Sequence, residues 1–231
     1  MKRVCVLGAG GFLGQNLCTG TNWTGVTRSE LNLLDQEAVE QYFEEHAYDV
    51  VVHCAVQGGN RLYSDDGTVT HNNLLMFENV VRVFKGKLLY FSSGAALQGD
   101  PPTTPYGLSK WVIDRRIETM ENAFSIRIWG CYGSGELPTR FSAVCRNEGH
   151  VVIHQDKFFD FVDVKDVKAV VLKYISGELK HKNIDLVYPE KKLLTQWAAF
   201  FGATSTVEQT GLGKPYCSTR KYPTLSGNAC K

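Results

Sequence analysis

Apolar residues along the chain gather in short unbroken runs, separated by stretches with helical spacing and by clusters of glycine and small polar residues. Val4 to Leu7 is the first run; it shows no alternation, meets glycines at once and is followed by a helical pattern from Phe12 to Cys18. That order predicts a strand, a tight turn and a helix. A strand is expected at Gly25 to Thr27, and a helix at Gln36 to His46 behind Asp35, whose carboxylate can cap it. Asp49 to Ala55 (DVVVHCA) is apolar almost throughout, as a strand buried on both faces should be. A helix around Asn72 to Phe84, a strand at Leu88 to Ser92, a helix from Tyr106 to Met120 and a strand at Phe124 to Trp129 follow. Repeated β-then-α order predicts an α/β fold, a doubly wound parallel sheet with helices on both faces.

Beyond residue 130 the pattern loosens. Short strands are expected at Val151 to Ile153, Phe158 to Val162 and Ile184 to Val187, with helices at Val164 to Ile175 and Leu193 to Phe201. The stretch from Gly211 is rich in Gly, Pro, Ser and Thr and carries no readable element. The expected organisation is therefore a nucleotide-binding core over residues 1–130 and a small C-terminal substrate lobe over 131–231, interwoven with it.

Composition narrows the class. Lys plus Arg is 25 and Asp plus Glu is 24, for a net charge of +1, so the basic excess of nucleic-acid binders is missing and no nucleic-acid partner is expected. A chain with 43% apolar and 21% charged residues is globular rather than disordered. The seven cysteines are odd in number and lack a C-x-x-C pair, and Cys5 and Cys54 fall in apolar runs. They read as reduced thiols in a reducing compartment. The apolar stretch after Met1-Lys2-Arg3 breaks at Gly8, too soon for a signal peptide, and no run approaches the roughly 18 residues of a membrane span. A cytoplasmic protein without a membrane partner is expected.

Gly8-Ala9-Gly10-Gly11-Phe12-Leu13-Gly14 links the first strand to the first helix. There, backbone N–H groups and the helix dipole can hold a pyrophosphate. The spacing is G-x-x-G-x-x-G through Gly8, Gly11 and Gly14, because position 13 is Leu13. At the end of the second strand, where an acid would bind the ribose 2′-hydroxyl of NAD, the chain has Thr27-Arg28-Ser29. The Arg28 guanidinium suits a 2′-phosphate, which favours NADP while leaving NAD open.

Tyr106-Gly-Leu-Ser-Lys110 sets a phenol and an ammonium one helical turn apart behind Pro105, a residue favoured at helix starts. A nearby ammonium lowers a phenol's pKa from near 10, making it usable as an acid or base at a carbinol or ketone. Upstream, the strand ends Tyr90-Phe91-Ser92-Ser93-Gly94, and strand C-termini of open parallel sheets are where ligands sit. Ser93 is positioned to hydrogen-bond a substrate oxygen and Ser92 to serve turn chemistry. Of Asn72 and Asn73, one is expected to cap its helix and the other to bridge to the site through water.

Together these motifs resemble the extended short-chain dehydrogenase/reductase family, in its nucleotide-sugar epimerase, dehydratase and reductase branch. The likeness runs in order through VLGAGGFLG, DVVVHCAV, NNLLMFENV, YFSSGA, PYGLSK, SIRIWGCYGSGE and FFDFVDVKDV, over about residues 3 to 175. It implies a Rossmann-type NAD(P)-dependent enzyme. Tyr106 would be the catalytic acid/base, Lys110 would hold the nicotinamide ribose and tune Tyr106, and Ser93 would polarise the substrate carbonyl. Gly8, Gly11, Phe12 and Leu13 would lie against the pyrophosphate, with Gly14 in the same turn. Asn32 and Leu33 would lie near adenine, Ala55 and Val56 on the ribose side, and Asn72 beside the cofactor. It also implies a small-molecule substrate, a nucleotide sugar, and a homodimer through the Tyr106 helix and the one before it.

The chain departs from the family pattern in places that bear on substrate. Only 12 residues separate Ser93 from Tyr106, so a pocket loop is trimmed; Leu97-Gln98-Gly99 replaces an aromatic before glycine. Gly130 stands where an asparagine often touches substrate, and Phe159 where an arginine clamps a diphosphate, with Arg61, Arg140 and Arg146 as candidate substitutes. Epimerising reductases of the family use a cysteine near the serine and a histidine after Y-G; here Ala95 holds the first place and Tyr132 to Phe141 contain no histidine. A plain keto reductase or a redox-neutral 4-epimerase with tightly held NAD remains compatible, and a non-catalytic dinucleotide sensor or scaffold is the rival from another class. His53 reads as a satisfied core residue, Asp163 and Asp166 as helix caps, and Trp111 as packing in the core or dimer face. His154, Asp156 and Asp160 show no metal-ligand spacing, so no metal is expected.

Overall fold

The computed structural model of the chain describes residues 2–60, 62–220 and 225. The elements run β1 (Val4–Leu7), α1 (Phe12–Cys18), β2 (Thr24–Val26), α2 (Gln36–Glu45), β3 (Val50–His53), α3 (Gly67–Val83) and β4 (Lys87–Ser93). A 3-10 turn (Gly94–Leu97), α4 (Pro105–Glu118), β5 (Ala123–Ile128), β6 (Gly130–Tyr132), α5 (Phe141–Glu148), β7 (His150–Gln155) and β8 (Phe158–Phe159) come next. β9 (Phe161–Asp163), α6 (Val164–Ser176), β10 (Asn183–Asp185), β11 (Lys192–Leu193), α7 (Leu194–Phe200) and β12 (Thr204–Gln209) complete the order. They divide into two units, one of Met1–Arg127 with Lys168–Ile184, the other of Ile128–Val167 with Asp185–Lys231.

The first unit is built on a six-stranded sheet ordered β10-β5-β4-β3-β1-β2, in which β2, β1, β3 and β4 pair parallel. Val50, Val51 and Val52 are fully buried, which explains the unbroken apolar run of this central strand. Leu7, Val51, Phe77, Val80, Leu88, Ile113 and Ile117 belong to one core cluster. The strand order reverses at β1, with β2 on one side and β3 on the other. This switch point opens a crevice at the strand C-termini.

The asparagines at 72 and 73 do not open α3: the helix starts five residues before Asn72, where the Asp66 carboxylate accepts the Thr68 N–H at 2.9 Å. The periodicity missed this first turn because Gly67, Thr68 and Thr70 carry little apolar signal. Asp35 caps α2 through the Ala38 N–H, and Thr104 caps α4 through the Gly107 N–H, with Pro105 opening the helix.

In the second unit β6 pairs with β9 and β7 with β12, both parallel, while β8 and β11 are antiparallel. Phe158 to Val162 is two short strands interrupted at Asp160. β6 and β12 had no sequence signal, being three residues around Cys131 and a mostly exposed polar strand. The core is aromatic, with Phe159 and Phe161 stacked at 4.5 Å and Trp197 against both Phe161 and Phe201. The unreadable stretch after Gly211 is tied back to β8, where Tyr216 bridges to Phe159 and the Ser218 N–H meets the Asp160 carboxylate at 2.6 Å.

Candidate active site

The glycine turn fills the crevice at the end of β1. Gly8 has φ +81°, and its N–H and that of Ala9 both donate to the Val26 carbonyl, tying the turn to β2. A Cβ on Gly8 would stand 2.6 Å from the Ala55 nitrogen, and one on Gly14 would strike the Gly8 carbonyl and come 2.7 Å from the Ala9 Cα. These two glycines let β1, the end of β3 and α1 approach each other. Gly10 and Gly11 differ: their nearest neighbours to such an atom are 3.8 and 3.5 Å away. They leave backbone bare toward a cavity of about 280 Å³.

That cavity is lined by Gly8, Gly10 and Gly11 from the turn, Thr27, Arg28, Asn32 and Leu33 after β2, and Cys54, Ala55, Val56 and Gln57 after β3. The structure thus gathers Gly8, Gly11, Arg28, Asn32, Leu33, Ala55 and Val56 into one space. Phe12, Leu13, Gly14, Asn72, Ser93, Tyr106 and Lys110 are not among its lining residues. An elongated adenine nucleotide fits this wall: bare turn backbone for the pyrophosphate, Leu31, Leu33 and Met76 as apolar surface, and an exposed Arg28 at the rim. Glu30 accepts both the N–H and the hydroxyl of Thr27, which sets the loop carrying Arg28.

Three asparagines support this wall: Asn72 and Asn73, which the sequence singled out for a helix cap, a water bridge or a place beside the cofactor, and Asn79, which it missed. Asn73, 2% exposed, takes the Gln57 N–H at 2.8 Å, donates to the Gln57 carbonyl at 3.0 Å and to Ser109 at 3.1 Å. Asn72 donates to the Gln57 side chain at 2.8 Å. Asn79, equally buried, donates to the Leu33 carbonyl at 2.9 Å. Asparagine is unfavourable inside a helix, so Asn72, Asn73 and Asn79 within one helical stretch were themselves the signal that their amides hold something outside it.

Tyr106 lies in the first turn of α4, half-buried, with the backbone of Gly59 against its ring: a Cβ there would stand 3.0 Å from the ring's Cε2 and Cζ. Lys110 is buried, its Nζ 5.6 Å from the Tyr106 ring centre. That ammonium donates to the Phe91 carbonyl at 2.7 Å and the Tyr90 hydroxyl at 2.8 Å. Burial lowers its pKa to about 7, against the opposing pull of Asp114.

Turn chemistry at the end of β4 falls to Ser93, not Ser92. The Ser93 Oγ accepts the Ala95 N–H at 3.2 Å and caps the 3-10 turn. The Ser92 Oγ is buried without a hydrogen-bond partner among the described residues. His53 is buried as expected; among the described residues neither ring nitrogen makes a hydrogen bond of full geometry, and desolvation, opposed by the nearby Met76 backbone, lowers its pKa to about 4. Cys54 is only partly buried and lines the cavity. Trp111 is not in the core: it is half-buried on α4, donating to Asp100 at 3.0 Å under the Arg115 guanidinium, 3.5 Å from its ring.

In the second unit, Asp163 caps α6 through the Lys165 N–H, whereas Asp166 accepts the Tyr188 hydroxyl. His154 pairs with Glu208, Asp156 with Thr195, and Asp160 with Lys191. Arg146 is committed to Glu136, Arg140 is exposed, and Arg61 lies outside the described residues.

A glycine turn at the switch point of a parallel sheet, with a tyrosine and a buried lysine on a following helix, defines a Rossmann-type dinucleotide-binding fold. The chain belongs to the NAD dependent epimerase/dehydratase family, whose model matches residues 4–184. It is 28% identical over 134 residues to the UDP-glucose 4-epimerase of Mus musculus, which covers 47% of this chain but only 39% of that protein. The chain thus matches well under half the length of that relative. Among solved structures, dTDP-4-dehydrorhamnose reductase from Bacillus anthracis in complex with NADP superimposes with a TM-score of 0.81 at 18% identity, over 94% of this chain and 88% of that one. GDP-mannoheptose C4 reductase from Campylobacter jejuni with NADP bound gives 0.72 at 18% identity, over 89% and 86%. At such identities the likeness is one of fold. No helix among the described residues is long and apolar enough to cross a membrane.

Proposed function

We propose that the chain is an NADP(H)-preferring oxidoreductase that reduces a keto group on a nucleotide-linked sugar. The single observation that carries this reading is the buried Lys110 ammonium held beside the Tyr106 ring in the unit that also carries the cavity at the glycine turn. The glycine turn, Asn32, Leu33, Ala55 and Val56 would hold the cofactor and Arg28 its 2′-phosphate. When bound, NADPH supplies a hydride from nicotinamide C4. Tyr106 gives a proton to the oxygen of the reduced carbonyl, and the Lys110 charge makes the phenolate left behind less costly. Ser93 holds the carbonyl oxygen.

The NADP-bound reductases of matching fold support this reading. A redox-neutral 4-epimerase retaining NAD is supported by the relative's name, and protein purified with bound cofactor would favour it. A reducing, cytoplasmic setting and a homodimer through α3 and α4 belong to the same proposal.

The test is NADPH consumption with a panel of 4-keto-6-deoxy sugar nucleotides, wild type against Tyr106→Phe. Turnover by the wild type alone supports the proposal. Equal silence from both across the panel, with NADPH still bound, replaces it with a dinucleotide sensor.

A further inference from the structure

Lys110 is 3% exposed, yet among the described residues its ammonium enters no ion pair. Taking an ammonium out of water costs several kcal/mol, and proteins usually meet that cost with a carboxylate. Here the nearest acid on the helix, Asp114 one turn on, is committed to Ser125 at 2.6 Å and Arg127 at 2.9 Å. The charge rests instead on two neutral groups of β4, the Phe91 carbonyl and the Tyr90 hydroxyl, with Nζ 4.4 Å from the centre of the Tyr90 ring.

Tyr90 has no freedom to go elsewhere. It is 2% exposed, paired in register with His53, and packed edge-on against Phe77 at 5.3 Å and His53 at 5.5 Å. Lys110 is the only hydrogen-bond partner of its hydroxyl among the described residues. Phenylalanine would fill the same core space, so the hydroxyl itself calls for an explanation beyond packing.

We propose that Tyr90 is a positioning residue: its hydroxyl and ring keep the Lys110 ammonium charged and fixed beside Tyr106, so that β4 as well as α4 sets the acidity of the site. The inference rests on Tyr106 and Lys110 being the working pair. The groups facing Lys110 are Tyr106 and Asp114 from α4, Tyr90 from β4, and His53 and Cys54 from the β3 side. Burial holds His53 neutral near pH 7 and pushes the Cys54 thiol and Tyr90 phenol up, so none of these three changes charge near neutrality. An accepted hydrogen bond stabilises the ammonium. Removing it lowers the pH at which Lys110 loses its proton.

The experiment is NMR titration of isotope-labelled lysine in the full chain, with the Lys110 signal assigned by its loss in Lys110→Met. In Tyr90→Phe the Lys110 midpoint should fall by about one pH unit, a tenfold loss of proton affinity. With a turned-over substrate, the alkaline limb of kcat/KM should move down equally, kcat falling about tenfold and KM less than about threefold. A folded Tyr90→Phe with an unmoved midpoint overturns the proposal, even if turnover shows the enzyme reading to be right. A moved midpoint supports it even if no substrate is turned over. If Tyr90→Phe does not fold, Tyr90→His keeps a ring and an acceptor nitrogen. Its midpoint should then stay near the wild-type one, and a fall of a full unit there overturns the proposal.

Discussion

The Nζ of Lys110 lies 5.6 Å from the centre of the Tyr106 ring, four residues earlier on the same helix. The helix buries the cation and leaves the phenol half-exposed, so the charge is unscreened by water while the reactive hydroxyl's residue still borders solvent. Burial has brought the Lys110 pKa down to about 7. If the ammonium is the active form, kcat/KM should fall tenfold per pH unit above about pH 7 as that proton leaves. A pH profile of the wild type, with Lys110→Met lacking the same limb, checks this.

Packing at the glycine turn sorts its members. Gly14→Ala would drive a methyl into the Gly8 carbonyl, and Gly8→Ala into the Ala55 backbone from a φ of +81°. Each should cost at least about 2 kcal/mol or prevent folding. Gly10→Ala meets nothing closer than 3.8 Å and should keep its stability within about 0.5 kcal/mol. Urea unfolding of the three variants reads the contrast.

This division was only partly legible beforehand. The buried runs of β1 and β3 and the glycine spacing showed the sheet and its crevice, because fully buried parallel strands and tight turns leave composition signatures. The start of α3 was hidden because its first turn lacks apolar spacing. The clasps from Asn73 and Asn79 to distant backbone, and the grip of Tyr90 on Lys110, join residues 16, 46 and 20 positions apart, and no local pattern encodes such pairs. That the turn contact falls to Ser93 and not Ser92 depends on which face each presents at a strand end, where a one-residue shift inverts the answer.

Arg28 is exposed, enters no ion pair among the described residues and borders the cavity, while Glu30 is turned onto Thr27. Arg28→Ala should weaken NADPH binding by roughly ten- to a hundredfold, the worth of a charge-assisted pair to phosphate. NADH binding should hardly change. Fluorescence titration with both nucleotides reads the difference.

His53 titrates near 4 in the fold against 6.5 for a free histidine, because burial disfavours its charged form. The unfolded chain therefore takes up this proton first as pH falls. Stability is retained above about pH 6.5 and declines toward pH 4, by up to roughly 3 kcal/mol from this residue. In His53→Leu that part of the decline should vanish, as measured by denaturant unfolding at pH 7 and at pH 4.5.

The most direct test of the central claim is transfer of deuterium from NADPH labelled at nicotinamide C4 into a 4-keto sugar nucleotide. The wild type should place the label on the sugar carbon that carried the ketone. Tyr106→Phe, folded and still binding NADPH, should do so about 10² to 10⁴ times more slowly. Label transfer at the wild-type rate by that variant would contradict the account.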